Sequence, residues 1–129
     1  EGVVIGGGVT LFHSINTLNH LQAHDEEKIG ISIVKRSLEE PLRILAQNAG
    51  KDGAEVIAII KSHNNPLIGY NAKTNVYEDL FKSGVIDPTK VVRTALQNAS
   101  SIAVMIITTE GLVADFDDEK DTKSESIII

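Results

Sequence analysis

From Val92 onward, Ala95, Leu96, Ala99, Ile102, Ala103 and Ile106 keep to a helical period of about 3.6 residues. Asp87-Pro88 introduces the stretch. Asp is favoured as an N-cap and Pro as the first helical residue. The spacing predicts a helix of about 21 residues, or about 31 Å at about 1.5 Å per residue, capped by Asp87. This is the strongest local signal in the chain. Gly111 follows it, and Leu112 to Phe116 then alternates as a strand.

Upstream, Val9, Leu11, Phe12, Ile15 and Leu18 predict a helix from about Gly8 to Leu21, and the polar segment Gln22 to Glu27 a loop. Ile29, Ile33 and Val34 open a second helix, with Asp25-Glu26-Glu27 at its positive end. Pro41 is predicted to bend or break it near Glu40, because proline lacks an amide donor and clashes with the preceding turn. Leu42, Leu45, Ala46 and Ala49 continue the apolar stripe to Gly50, placed for a left-handed cap. Val56, Ile57 and Ile60 mark a third helix within Gly53 to Lys61. Ser62 to Pro66 is a turn cluster. Leu67 to Asn71 and Thr74 to Val76 are read as a small hairpin. Tyr77 to Lys82 is read as a short helix ended by Ser83-Gly84, and residues 119–129 as a disordered acidic and polar tail.

The chain has 129 residues, enough for one core of ordinary size. It is 42% apolar with a net charge of −6, which argues against a nucleic-acid binder with its basic stripe. Without cysteine, neither disulfides nor thiolate metal sites are available. Aromatics make up only 4%, so the core should be aliphatic. The longest uninterrupted apolar run, Ile102 to Ile107, falls far short of the roughly 20 residues that span a bilayer, and no membrane partner is expected. No signal peptide is visible. A start at Glu1, without Met, reads as an excised piece of a longer chain.

Several residue patterns carry chemistry. Gly6-Gly7-Gly8 stands at a helix start, where glycines let a phosphate approach backbone amides at the positive end of the dipole. Read alone, the triplet is first a tight turn; no Gly-Lys-Ser/Thr follows it, so it is not a P-loop. Asn71 offers a donor and an acceptor suited to the edge of adenine, though an isolated loop Asn is first a turn former. Asp87 as an N-cap would accept from Thr89 or Lys90, a bond worth about 1 kcal/mol. A carboxylate has about four acceptor sites, so a ribose hydroxyl could take another. His13, His20, His24 and His63 share no ligand spacing and suggest no metal site. No catalytic triad is suggested. Lys73, Lys82, Lys90 and Arg93 read as solvated faces.

Gly69-Tyr70-Asn71-Ala72, with Asp87-Pro88-Thr89-Lys90-Val91, resembles the adenine and ribose side of the nucleotide site in group I chaperonins. Glu1-Gly2-Val3-Val4-Ile5-Gly6-Gly7-Gly8-Val9 resembles that family's glycine turn beside the phosphates. The resemblance runs from Glu1 to about Asp118 and takes in Ile107-Thr108-Thr109-Glu110. It implies a mainly α fold: a helical, bundle-like half of a chaperonin equatorial domain over residues 1–118, with a small hairpin and a C-terminal strand at the contact between subunits.

The same resemblance implies ATP as the ligand, with Gly7 at the nucleotide, Asn71, Ala72 and Lys73 lining the base, and Asp87 on the ribose. Lys73 departs from the small residue the family has there. Magnesium and the attacking water would be handled by an Asp-Gly-Thr-Thr-Thr loop and a further Asp, neither of which occurs in this sequence. The chain by itself is therefore expected to be inactive as an ATPase. The implied parent is an ATP-driven folding machine of one or two seven-membered rings. Its partners would be neighbouring subunits, a co-chaperonin and unfolded clients bound through other domains. Glu26-Glu27-Lys28-Ile29-Gly30, Val34-Lys35-Arg36 and Tyr77-Glu78-Asp79-Leu80 look closer to plastid and cyanobacterial members, which implies a plastid stroma, with bacterial cytoplasm or mitochondrial matrix as alternatives. The rival expectation is a free-standing helical interaction module with no nucleotide role.

Overall fold

The computed structural model describes residues 1–111 and Val113. In chain order these form β1 (Val3–Ile5), α1 (Val9–Leu18), α2 (Asp25–Asn48), α3 (Gly53–Ser62), β2 (Ile68–Asn71), β3 (Val76–Asp79), β4 (Ile86–Pro88) and α4 (Thr89–Thr108). The chain is mainly helical, with small antiparallel strand pairs, β1 with β4 and β2 with β3. It divides into two compact units, Glu1–Thr94 and the residues from Ala95 onward.

In the first unit, α1, α2, α3 and the β2–β3 hairpin close on one core. Val9 and Phe12 come from α1, Leu42 and Ala46 from α2, and Val56, Ile57 and Ile60 from α3; Tyr70 and Leu80 come from the hairpin and the residue after it. Burial of an aliphatic side chain of this size is worth about 1.5–3 kcal/mol. The core is largely aliphatic, but Phe12 and Tyr70 are central to it, and the Tyr70 ring packs on Tyr77 with centroids 5.5 Å apart.

The expected break at Pro41 does not occur. Leu38, Leu42 and Ala46 lie four residues apart on one buried face that runs through the proline, so packing on both sides holds α2 together. The helix also starts earlier than expected, at Asp25, where the backbone N–H of His24 donates to Glu27 Oε2 at 2.9 Å. Its end is a Schellman-type cap: Gly50 has φ 77°, Gly50 N–H donates to Gln47 O and Lys51 N–H to Ala46 O. At α3, the Asp52 carboxylate accepts from Ala54 N–H at 2.8 Å.

Two further expectations are corrected. Tyr77 to Lys82 is not a helix; Val76–Asp79 is the second strand of the hairpin, with Tyr77 opposite Tyr70. Asp87-Pro88 does not cap a helix but belongs to β4, opposite Val4 and Val3 of β1. α4 begins one residue later, and Thr89 N–H donates to Gly2 O at 3.1 Å rather than to Asp87. α4 has 20 residues and buries none of them; taken whole, it is long and apolar enough to cross a membrane, with mean hydropathy 1.3. That differs from the reading based on uninterrupted apolar runs. The second unit holds the remainder of α4, where Ile102, Met105 and Ile106 are exposed. The strand expected at 112–116 and the tail at 119–129 lie outside the described residues, apart from Val113, which is in no strand.

Candidate functional site

β1 delivers the chain into Gly6-Gly7-Gly8, and α1 starts at Val9. Gly7 and Gly8 have φ 65° and 77°, the left-handed region that glycine occupies without penalty. Gly8 also lets α1 approach α2 closely: a Cβ there would stand 2.7 Å from Leu42 N. At this start Val9 N–H donates to Gly6 O at 3.2 Å, and the amides of Thr10 and Leu11, without intrahelical partners, carry the positive end of the dipole.

The β1–β4 pairing sets Asp87 beside this turn. Val4 is opposite Asp87, and Gly6 N–H donates to Val85 O at 3.0 Å. Gly6 is buried, and a Cβ on it would lie 3.3 Å from Asp87 Cγ and from both carboxylate oxygens. The half-buried carboxylate accepts no hydrogen bond and pairs with no cation among the described residues. It borders a cavity of about 140 Å³ walled by Ile5, Gly8, Thr10, Leu11, Pro41 and Val92.

Gly7 faces elsewhere. A Cβ on it would meet Leu80 Cδ1 at 3.5 Å and Tyr70 O at 3.8 Å. The glycine that fronts Asp87 is Gly6, which sequence reasoning did not single out.

Asn71 ends β2 and is the buried polar residue of the described core, 7% exposed. Its Oδ1 accepts from Lys73 N–H at 3.1 Å, and its Nδ2 donates to Glu78 Oε1 at 2.7 Å. One lone pair and one hydrogen of the carboxamide remain. Ala72 and Lys73 are exposed and border a hollow of about 510 Å³ whose other walls are Pro41, Ile44, Leu45, Asn48 and Ala49 of α2 and its cap. Pro41 borders this hollow and the Asp87 cavity alike. Sequence reasoning read Pro41 only as a helix breaker and Leu45 only as part of a core stripe, and gave Ile44 no role.

Arg93 is not simply solvated: it holds Glu1 through two bonds, of 2.7 and 3.2 Å, tying the chain start to the N-terminal part of α4. Among the described residues, no three His, Asp or Glu side chains converge to hold a metal ion. A larger groove, of about 520 Å³, lies between α1, α2 and the end of α3. His13 lines it, with Nε2 buried and without a hydrogen-bond partner among the described residues; burial lowers its pKa below the ordinary 6.5, partly opposed by the Pro66 carbonyl.

The fold and site define a mainly helical chain in which a glycine turn and a helix start stand beside a carboxylate with no partner among the described residues. Residues 1–116 match the family described as the TCP-1/cpn60 chaperonin family, and the chain belongs to it. It is 60% identical over 129 residues to a protein named Chaperonin GroEL from Methanoregula boonei, and 61% identical over 129 residues to one of the same name from Methanospirillum hungatei. Each alignment covers 100% of this chain and 24% of the relative's length. The match identifies the chain as group I chaperonin sequence. These relatives are archaeal and give no support to a plastid origin.

Proposed function

We propose that the chain is the C-terminal half of the equatorial, ATP-binding domain of an ATP-driven protein-folding chaperonin, over residues 1–118, and supplies the nucleoside side of its ATP site. Asp87 receives a ribose hydroxyl, the Gly6–Gly8 turn and the start of α1 face the phosphates, and the base lies against Asn71, Ala72, Lys73 and the apolar wall of Pro41, Ile44 and Leu45. The observation that carries this reading is the juxtaposition of Gly6 and Asp87: a glycine turn and a carboxylate with no other partner among the described residues meet through a pairing of residues remote in sequence.

Water activation and magnesium belong to parts of the parent protein outside this sequence, so purified chain alone should release no phosphate above background. The exposed apolar side chains Ile29 and Ile33 on α2, with Ile102, Met105 and Ile106 on α4, suit a domain half packed on further chain better than a free-standing module. Family membership supports a ring, a co-chaperonin and unfolded clients for the parent, and the two prokaryotic relatives are compatible with a prokaryotic cytoplasm.

The test is ATP affinity in the full-length protein for Asp87→Ala and Asp87→Asn, by calorimetry. Asp87→Ala should bind about ten-fold more weakly, for the loss of a bond to a charged acceptor, and Asp87→Asn, whose Oδ1 still accepts but carries no charge, should lose less. Wild-type affinity in both variants would refute the site.

A further inference from the structure

Glu78 has no role in the site as described so far, yet its carboxylate stands at the centre of the β2–β3 connection. Asn71 Nδ2 donates to Glu78 Oε1 at 2.7 Å, and Thr74 Oγ1 donates to the same oxygen at 3.3 Å. These partners flank Ala72 and Lys73, the residues that border the hollow against α2. The strand register explains the reach. Gly69 is opposite Glu78 and Asn71 is opposite Val76, so Asn71 and Glu78 are diagonal neighbours on one face of the hairpin. The main chain closes the same loop, with Asn75 N–H donating to Asn71 O at 2.8 Å. Asn75 sits at φ 59° and accepts from Tyr70 Oη–H through its Oδ1 at 3.0 Å.

An ionised carboxylate only accepts hydrogen bonds. Glu78 therefore requires the amino end of the Asn71 carboxamide and leaves its oxygen to Lys73 N–H. The carboxamide cannot turn over without losing both bonds.

We infer that Glu78 is the positioning residue of the base side: it locks the Asn71 carboxamide and staples the Asn71–Thr74 loop so that Ala72 and Lys73 face the apolar wall of α2. The inference rests on the nucleotide reading above. It assigns base affinity to the preset shape of this loop, with Asn71 acting as a fixed group rather than a freely rotating reader. Glu78 touches no reacting atom, so its loss acts on binding and not on the chemical step.

The experiment uses the full-length protein and measures ATP affinity, KM and kcat. Glu78→Ala should raise Kd and KM for ATP by about ten-fold, the loss of one charge-assisted hydrogen bond, with kcat at saturation within about two-fold. Glu78→Gln, whose side-chain oxygen still accepts from Asn71, should recover most of that loss. A second pair of variants guards against misfolding. Asn71→Asp sets two carboxylates against each other and should weaken binding. Adding Glu78→Gln to it restores a donor–acceptor pair with the roles exchanged, and affinity should rise again. Wild-type affinity in Glu78→Ala, or no recovery in the exchanged pair, overturns the inference while leaving the nucleotide site standing. A wild-type protein that binds no ATP overturns both.

Discussion

Gly8 and Gly50 share the same φ, 77°, but not the same surroundings. A Cβ on Gly50 meets nothing within 4 Å, whereas one on Gly8 would lie 2.7 Å from Leu42 N, 2.9 Å from Leu42 Cα and 3.1 Å from Pro41 C. Alanine in the left-handed region costs about 1–2 kcal/mol wherever it stands. At Gly8 the methyl group must also separate α1 from the backbone of α2, and overpacking of this kind adds about 1–3 kcal/mol. Gly8→Ala should thus cost about 2–5 kcal/mol and Gly50→Ala about 1–2 kcal/mol. Native-state hydrogen exchange with peptide-level mass readout suits a large parent protein, because it reports local opening rather than global unfolding. At about 1.4 kcal/mol per factor of ten, Gly8→Ala should speed exchange in α1 and around Leu42 by about thirty-fold to a few thousand-fold. Gly50→Ala should speed it by about ten-fold, at the end of α2. Equal acceleration by both would show that the close approach of α1 to α2 contributes nothing, and would refute the reasoning.

Gly6→Ala places a methyl 3.3 Å from the Asp87 carboxylate with no left-handed strain, so it should lower ATP affinity while exchange in the core stays near wild type; a parallel loss of both would contradict the assignment. His13 is held below its ordinary pKa of 6.5 by burial, so the unfolded chain takes up the proton first as pH falls. The stability it allows is therefore complete above about 6.5 and is lost as pH drops from there through the lowered folded value; His13→Gln should flatten this part of a urea-midpoint profile, and an unchanged slope would rule His13 out as its source.

The elements legible in the sequence are those decided locally. α3, Gly50 and most of α4 follow from period and capping chemistry within a few residues, although the Asp52 cap of α3 was not read. What was misread depends on partners remote in the chain. β1 and β4 are 3 residues each, too short to signal themselves, and they exist because Val3–Ile5 and Ile86–Pro88 pair across the whole first unit. That pairing takes Asp87 from the cap it would otherwise form. Tyr77 carries no mark of a strand until Tyr70 stands opposite it. Pro41 breaks helices in isolation, but here the buried face of Leu38, Leu42 and Ala46 outweighs its missing hydrogen bond. Within the candidate site, the residue types were readable from the family resemblance. The commitment of Asn71 to Glu78 and the facing of Gly6 rather than Gly7 toward Asp87 were not, since both are matters of side-chain direction set by strand register.

Photolabelling of the full-length protein with an azido-adenine analogue of ATP, followed by mapping of the labelled peptides, tests the central claim most directly. The base should mark the hairpin connection at Ala72 and Lys73, or the wall of α2 from Pro41 to Leu45, and excess ATP should suppress the label. Label that ATP displaces but that falls wholly outside residues 41–49 and 69–75 would contradict the placement of the nucleoside in this half of the domain.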